Sequence, residues 1–257
     1  MKKIISLLLM TVLCTTMFAQ RGSQQGRGGR DSHRASSKKS TIFYIGPKAG
    51  FDFTTMTQPK ECDLYDGMGM GFSAGAVAKA RFGRASEYSP AGTGILGVGL
   101  ELKYKQNAVK TIGTDEDGKE NANLGVNYFE VPVYLQLYPF YKSNAMNSFY
   151  VELGPDFAGT LSRSPKLLTV MDPSDDYGSV TYNFDTDGSK LKGMDVRLMA
   201  GVGYEFAVSK NNKGETENLI GLNARYYMGT SKLASNFDSK MNTIEISLSW
   251  MFSLGKL

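Results

Sequence analysis

The chain has 257 residues, 41% of them hydrophobic, and a formal net charge of +4. That length suits one barrel or one to two soluble domains. The positive charge sits in residues 21–40, where Arg21, Arg27, Arg30, Arg34, Lys38 and Lys39 stand against Asp31 alone. A basic end can bind nucleic acid, but the export signal described next places the chain outside the cytoplasm, and no nucleic-acid partner is expected.

Met1 to Gln20 reads as a secretory signal: Lys2 and Lys3, an apolar core from Ile4 to Leu13, then small and polar residues. Cleavage is placed after Ala19, giving a signal peptide over 1–19. The core is too short to cross a bilayer as a helix, which needs about 20 apolar residues. Cys14 lies inside the signal and follows Leu13, where lipoprotein processing needs a small residue, so no lipid anchor is expected. Cys62 is then the one thiol left, and it cannot form an internal disulfide. Residues 20–41, rich in Gly, Ser, Gln and Arg, cannot bury a core and read as a flexible basic periplasmic arm. The remainder, 42–257, is expected to form one folded domain.

In that remainder eight stretches alternate apolar and polar residues with a period of two, the signature of strands with one greasy and one wet face. Tyr44–Phe53 sets Ile45, Pro47, Ala49, Phe51 and Phe53 against Lys48 and Asp52. Phe72–Phe82 sets Phe72, four alanines and Phe82 against Lys79 and Arg81. The third is the cleanest: Leu96, Val98, Leu100, Leu102 and Tyr104 oppose Gly97, Gly99, Glu101, Lys103 and Lys105. Tyr128–Tyr138 sets Phe129, Val131, Val133, Leu135 and Leu137 against Glu130 and Gln136, and Phe149–Ala158 sets Phe149, Val151, Leu153, Pro155 and Phe157 against Glu152 and Asp156. Val196–Phe206 opposes its apolar residues to Arg197 and Glu205, Ile220–Met228 to Asn223 and Arg225, and Ile244–Phe252 to Glu245, Ser247 and Ser249.

Each stretch has the ~9–11 residues that a tilted strand needs to cross the hydrocarbon layer. No apolar face carries a charge, and aromatics gather near the strand ends, as at Phe53, Phe82, Tyr104, Phe149, Phe157, Phe206, Tyr226, Trp250 and Phe252. These features predict an all-β fold: an eight-stranded antiparallel transmembrane β-barrel of the smallest outer-membrane size, with interfacial girdles and long external loops. With the N-terminus in the periplasm, connections 54–71, 106–127, 159–195 and 229–243 lie outside, and 83–94, 139–148 and 207–218 face the periplasm. A soluble periplasmic lipid-binding barrel, greasy face inward, shows the same alternation and is the structural alternative. Pro132 stands against a central strand, since it cannot donate to the ladder; a bulge or lumen water would accommodate it.

Several segments together resemble a known family: Phe18-Ala19-Gln20 closing the signal, Ile45-Gly46-Pro47-Lys48-Ala49-Gly50, Tyr128-Phe129-Glu130-Val131-Pro132-Val133, and Glu245-Ile246-Ser247-Leu248-Ser249-Trp250. The chain, over roughly residues 41–257, looks like the outer-membrane β-barrel domain ("porin family") proteins of Bacteroidota, which include PorT-like proteins. The resemblance implies an integral outer-membrane barrel of eight strands and makes Pro132 a family feature. It fixes no task. PorT-like members are linked to a protein secretion system, and no motif here singles out that role.

The residues offer little catalytic chemistry. The chain's single His, His33, falls in the arm, so Ser-His hydrolysis is not expected. There is no Cys/His metal cluster and no phosphate loop, and no catalytic, cofactor or metal residue is assigned. The main constellation is the wet face itself: Lys48, Lys79, Arg81, Lys103, Lys105, Arg197 and Arg225 against Asp52, Glu101, Glu130, Glu152, Asp156, Glu205 and Glu245. A balanced set can pair inside a narrow lumen, where an unpaired charge is costly, and glycines such as Gly46, Gly99, Gly201 and Gly203 make room for it. This reads as a structural ion-pair cluster; the sharper alternative is a narrow ion or small-solute path. Eight strands leave an interior just wide enough for side chains to fill, so a general diffusion pore is not expected.

The outer loops are acidic, with Asp115, Glu116, Asp117 and Glu120 in one and Asp172, Asp175, Asp176, Asp185 and Asp187 in the longest. Asp185-Thr186-Asp187-Gly188 is a fragment of a Ca²⁺ loop without its later Glu ligand. Tyr177, Tyr182 and Phe184 either anchor a partner or pack the loop onto itself. Three roles compete: a non-enzymatic structural or surface-interaction protein of the envelope, a PorT-like accessory of secretion or assembly, and a narrow channel. The expected partners are outer-membrane lipid and lipopolysaccharide, with an envelope or secretion-machinery protein possible.

Overall fold

The computed structural model describes residues 39–57, 65–84, 94–115, 117–118, 120–121, 123–141, 146–171, 179–185, 192–210, 216–233 and 239–256. The signal, residues 20–38 of the arm, His33 and Cys62 lie outside them. Eleven strands follow in order: β1 Lys39–Met56, β2 Tyr65–Arg84, β3 Leu96–Thr111, β4 Thr114–Asp115, β5 Asn123–Leu137, β6 Phe149–Ser164, β7 Leu167–Met171, β8 Ser179–Asn183, β9 Met194–Lys210, β10 Thr216–Gly229 and β11 Met241–Lys256. β1 thus takes in residues 39–41, which the sequence reading left to the arm.

Eight of these strands close a barrel in the order β1-β11-β10-β9-β6-β5-β3-β2. Every neighbouring pair is antiparallel, and β1 pairs with both β2 and β11. Closure removes every open edge, the condition for placing strands in lipid. The eight sequence-predicted stretches are these eight strands, and alternation decides their faces. Ile45, Phe51, Leu102, Leu135, Leu153, Leu198, Leu222, Ile246 and Trp250 are exposed on the outer wall, whereas the charged residues of the opposite parity are buried. The greasy faces point outward, which removes the soluble lipid-binding alternative.

The aromatic girdles follow from register. Phe51 pairs with Phe72, Tyr104 with Phe129, and Val131 with Phe157; the rings of Phe72 and Tyr104 meet at 5.8 Å. At the other end Tyr204 and Phe206 meet at 4.8 Å, Phe140 and Phe149 at 5.8 Å, and Trp250 and Phe252 at 6.3 Å. Between the girdles the outer wall is aliphatic, as lipid contact requires.

The strands are longer than the sequence predicts, 14 to 20 residues in the barrel. Beyond the Phe72–Tyr104 girdle the ladder continues but the pattern inverts. On β3 and β5 the inward residues become Val109, Leu124 and Val126, all buried, while Lys110, Asn123 and Asn127 face out. An apolar-outward search ends at the girdle because water, not lipid, surrounds the wall above it. The connections at that end therefore shrink to 57–64, 112–122, 165–193 and 230–240. The longest of them places this end outside the cell by the rule that external loops are longer than periplasmic turns. It also carries β7 and β8, which with β4 form a separate sheet in the order β4-β7-β8.

Pro132 sits inside β5 opposite Asp156 of β6 without a bulge. The accommodation is on its other side, where the β3–β5 ladder skips from Leu100–Val133 to Lys103–Glu130. The donor that proline lacks faces this gap.

Candidate functional site

The lumen is filled in three layers. The periplasmic layer packs Ile42, Tyr44, Val77, Leu219 and Met251 together. Beside it Arg81 donates to the carbonyls of Asn147 at 3.0 Å and Gly94 at 3.3 Å and lies over the Tyr138 ring at 3.5 Å. Of the fourteen charged residues read from the sequence, it alone has no partner of opposite charge at ion-pair distance among the described residues.

The other thirteen form one connected network along the barrel. Lys79 pairs with Glu205, which also accepts from Tyr138 Oη at 3.1 Å. Tyr138 Oη reaches Gln136 Oε1 at 3.1 Å, and Gln136 Nε2 donates to Glu152 at 3.2 Å. Arg225 bridges Glu152, through Nε at 2.5 Å and Nη2 at 3.2 Å, to Glu101 at 2.7 Å. Lys48 joins Glu101 to Glu245, both at 3.1 Å. Glu245 meets Lys103, and Lys105 at 3.3 Å; Lys105 reaches Asp52 at 2.9 Å. Lys103 lies 3.4 Å from Glu130, and Arg197 closes the series against Glu130 and Asp156. All of these side chains are buried.

Tyrosines share the inward parity and line the network. Tyr134 Oη donates to Glu101 at 2.9 Å, and Lys103 donates to Tyr227 Oη at 2.7 Å. Tyr44, Tyr128, Tyr138 and Tyr150 are buried too. Their room comes from glycine: a Cβ on Gly99 would lie 2.2 Å from the Tyr134 ring, and one on Gly203 would lie 2.4 Å from Tyr150. Both pairs are direct cross-strand neighbours. The sequence reading singled out the glycines and the charges but passed over these tyrosines, although parity alone places them inside.

The outer layer is an apolar plug. Met56, Val109, Leu124, Val126, Tyr128, Ala158, Leu233 and Met241 line the mouth, and Leu168 and Tyr182 of the outer sheet pack among them with Phe184, just after β8. The Phe184 amide donates to the Lys166 carbonyl at 2.8 Å, and Arg163 Nε holds Asp185 at 2.9 Å. Two anchor candidates, Tyr182 and Phe184, thus pack the loop inward, and Asp185 is engaged by arginine; Tyr177, Asp172, Asp175, Asp176 and Asp187 lie outside the described residues. The space beside Lys48, Glu101 and Lys103 is too small for a water molecule, and that beside Tyr128, Lys192 and Lys232 holds about 10 Å³, room for one at most. No group of three or more metal-ligating side chains occurs among the described residues.

Residues 18–235 match the family described as outer membrane protein beta-barrel domain. No curated protein matches the chain. Among solved structures it is similar to Neisserial surface protein A at 12% identity, over 82% of this chain and 96% of that one, with a TM-score of 0.38. It is similar to OprG of Pseudomonas aeruginosa at 12% identity, over 84% and 97%, with a TM-score of 0.39. It is also similar to Ail, the attachment invasion locus protein of Yersinia pestis, at 14% identity, over 84% and 99%, with a TM-score of 0.35.

Proposed function

Because the chain belongs to the outer membrane protein β-barrel domain family and is integral to the outer membrane, we propose that it is a closed, non-enzymatic barrel serving the envelope through its outer surface. The observation that carries this reading is the sealed lumen. A network of ion pairs, joined through Tyr138 and Gln136, runs up the barrel, and the apolar plug stands across its mouth. The network is structural on this reading: each charge is held by the opposite charge or by a carbonyl, and no described space beside it admits a solute. Chemistry inside the barrel would need a substrate to enter, and neither end offers a way in among the described residues. What remains accessible is the lipid-facing wall, in contact with membrane lipid and lipopolysaccharide, and the outer sheet with its acidic loops.

Planar-bilayer recording of the purified protein tests this reading. Current at the baseline of the protein-free bilayer is the expected result. Large, steady conductance steps would replace the surface role with the narrow-channel reading.

A further inference from the structure

The lumen network carries an uneven charge. Seven carboxylates stand in it against six cations, because Arg81 is held by the carbonyls of Asn147 and Gly94 at the periplasmic end. The surplus lies at the outer end. There Asp52, Glu130, Asp156 and Glu245 share Lys103, Lys105 and Arg197, while Lys48 is divided between Glu245 and Glu101. An uncompensated buried carboxylate is costly.

Asp52 is the least held of the four. It is the first inward residue of β1 beyond the girdle pair Phe51–Phe72, and its register partner on β11 is Glu245. Two acids thus stand directly opposite each other on the inner face, an arrangement that repels. Lys105 is the one cation at ion-pair distance from Asp52 among the described residues, 2.9 Å from Oδ1, and it also lies 3.3 Å from Glu245 and 3.9 Å from Glu130. Asp52 Oδ2 has no hydrogen-bond partner among the described residues, and neither has the side-chain amide of Asn107 on β3. Both side chains are fully buried. Gly71 of β2 stands between them: it pairs with Asp52, and a Cβ on it would lie 3.5 Å from Asn107 Cα. The remaining neighbours are Lys103 on β3, Tyr227 on β10, whose ring centre is 3.8 Å from Lys105 Nζ, and the hydroxyls of Thr54 and Thr243, 3.2 Å apart. Arg197 and Asp156 reach the site only through Glu130.

We propose that the outer end of the lumen is a binding site for one proton, carried by Asp52, which stays a neutral acid while the other six carboxylates are ionised. Two carboxyl groups sharing one site hold a proton between them, and a neutral Asp52 brings the network to charge balance. Its Oδ2 then becomes a donor toward the Asn107 carbonyl oxygen. A metal ion suits the site less well, because the Lys105 ammonium already stands against Oδ1 and a proton needs no room. The proton comes from solvent as the barrel closes.

The test uses the purified protein in detergent micelles. An unfolded aspartate is ionised above about pH 3.9. Between pH 6 and pH 8 the folded state therefore holds one proton more than the unfolded state, and stability falls as pH rises. The equilibrium constant for unfolding in urea is expected to rise about tenfold per pH unit across this window. Asp52→Asn, whose amide has the shape of the neutral acid, should fold and flatten that slope. At neutral pH the infrared spectrum of the wild-type protein should show the carbonyl stretch of a neutral carboxylic acid, and Asp52→Asn should lose it. A pH-independent unfolding constant with no acid band would overturn the proposal. So would an acid band that survives Asp52→Asn, or an unfolding constant governed by sodium at fixed pH and ionic strength, which would put a cation at the site. The wild-type slope and band decide between a proton and none even where the variant fails to fold.

Discussion

Arg225 is buried and donates to two carboxylates on different strands, Glu152 on β6 and Glu101 on β3. Removing one partner of a buried pair leaves an uncompensated charge, at a cost of about 3–5 kcal/mol, whereas replacing the whole group by neutral residues is often close to neutral. Arg225→Met is therefore expected to destabilise the barrel by that amount in urea unfolding from detergent micelles. Adding Glu152→Gln, whose ion pair is with Arg225, should recover most of the loss, because Glu101 keeps Lys48; equal stability of the single and double variants would remove the network from any account of stability. At this scale the sequence shows which side chains point inward, because parity is local. It does not show who meets whom. Lys79 on β2 reaches Glu205 on β9, and Arg225 on β10 reaches Glu101 on β3, across the lumen, pairings set by strand stagger and tilt rather than by any period along the chain.

Phe184 belongs to a short turn after β8, yet it is fully buried in the outer plug. Phe→Ala substitutions at such sites cost about 3–5 kcal/mol. Here the loss should fall on the loop alone, since the barrel ladders do not depend on it. Phe184→Ala is expected to raise the rate of proteolytic cleavage within 165–193 at least a hundredfold, with heat-modifiable migration unchanged. Loss of the migration shift would instead make the plug integral to the barrel. The sheet of β4, β7 and β8 left little trace in the sequence. Its strands have two to five residues, and Leu168 and Tyr182 are too few to stand out as a buried face. The upper parts of β3 and β5 were missed for another reason. Their alternation is as regular as below, but its sign reverses once the surrounding solvent changes from lipid to water.

The whole molecule has a belt whose limits can be located. Leu153 and Leu161 lie on the outer wall of the same strand, 64% and 60% exposed. Leu153 falls midway between the girdles marked by Phe149 and Phe157, and Leu161 beyond Phe157. Arginine on the lipid face costs about 2–4 kcal/mol at the midplane and about 0–1 kcal/mol near the interface. Leu153→Arg is therefore expected to lose at least 2 kcal/mol more than Leu161→Arg in folding into phospholipid vesicles; equal losses would shift the belt.

The pairing of β1 with β11 joins the first strand of the barrel to the last. No shorter stretch of the chain can satisfy its own edges, so the wall cannot assemble piecemeal as β2, β3 and β5 become available. Productive folding waits for the longest-range contact, and loop-closure entropy makes such contacts slow to find. Until then the lipid-facing residues are exposed to water. A long-lived, aggregation-prone precursor follows, and with it a dependence on whatever holds that precursor soluble between export and insertion.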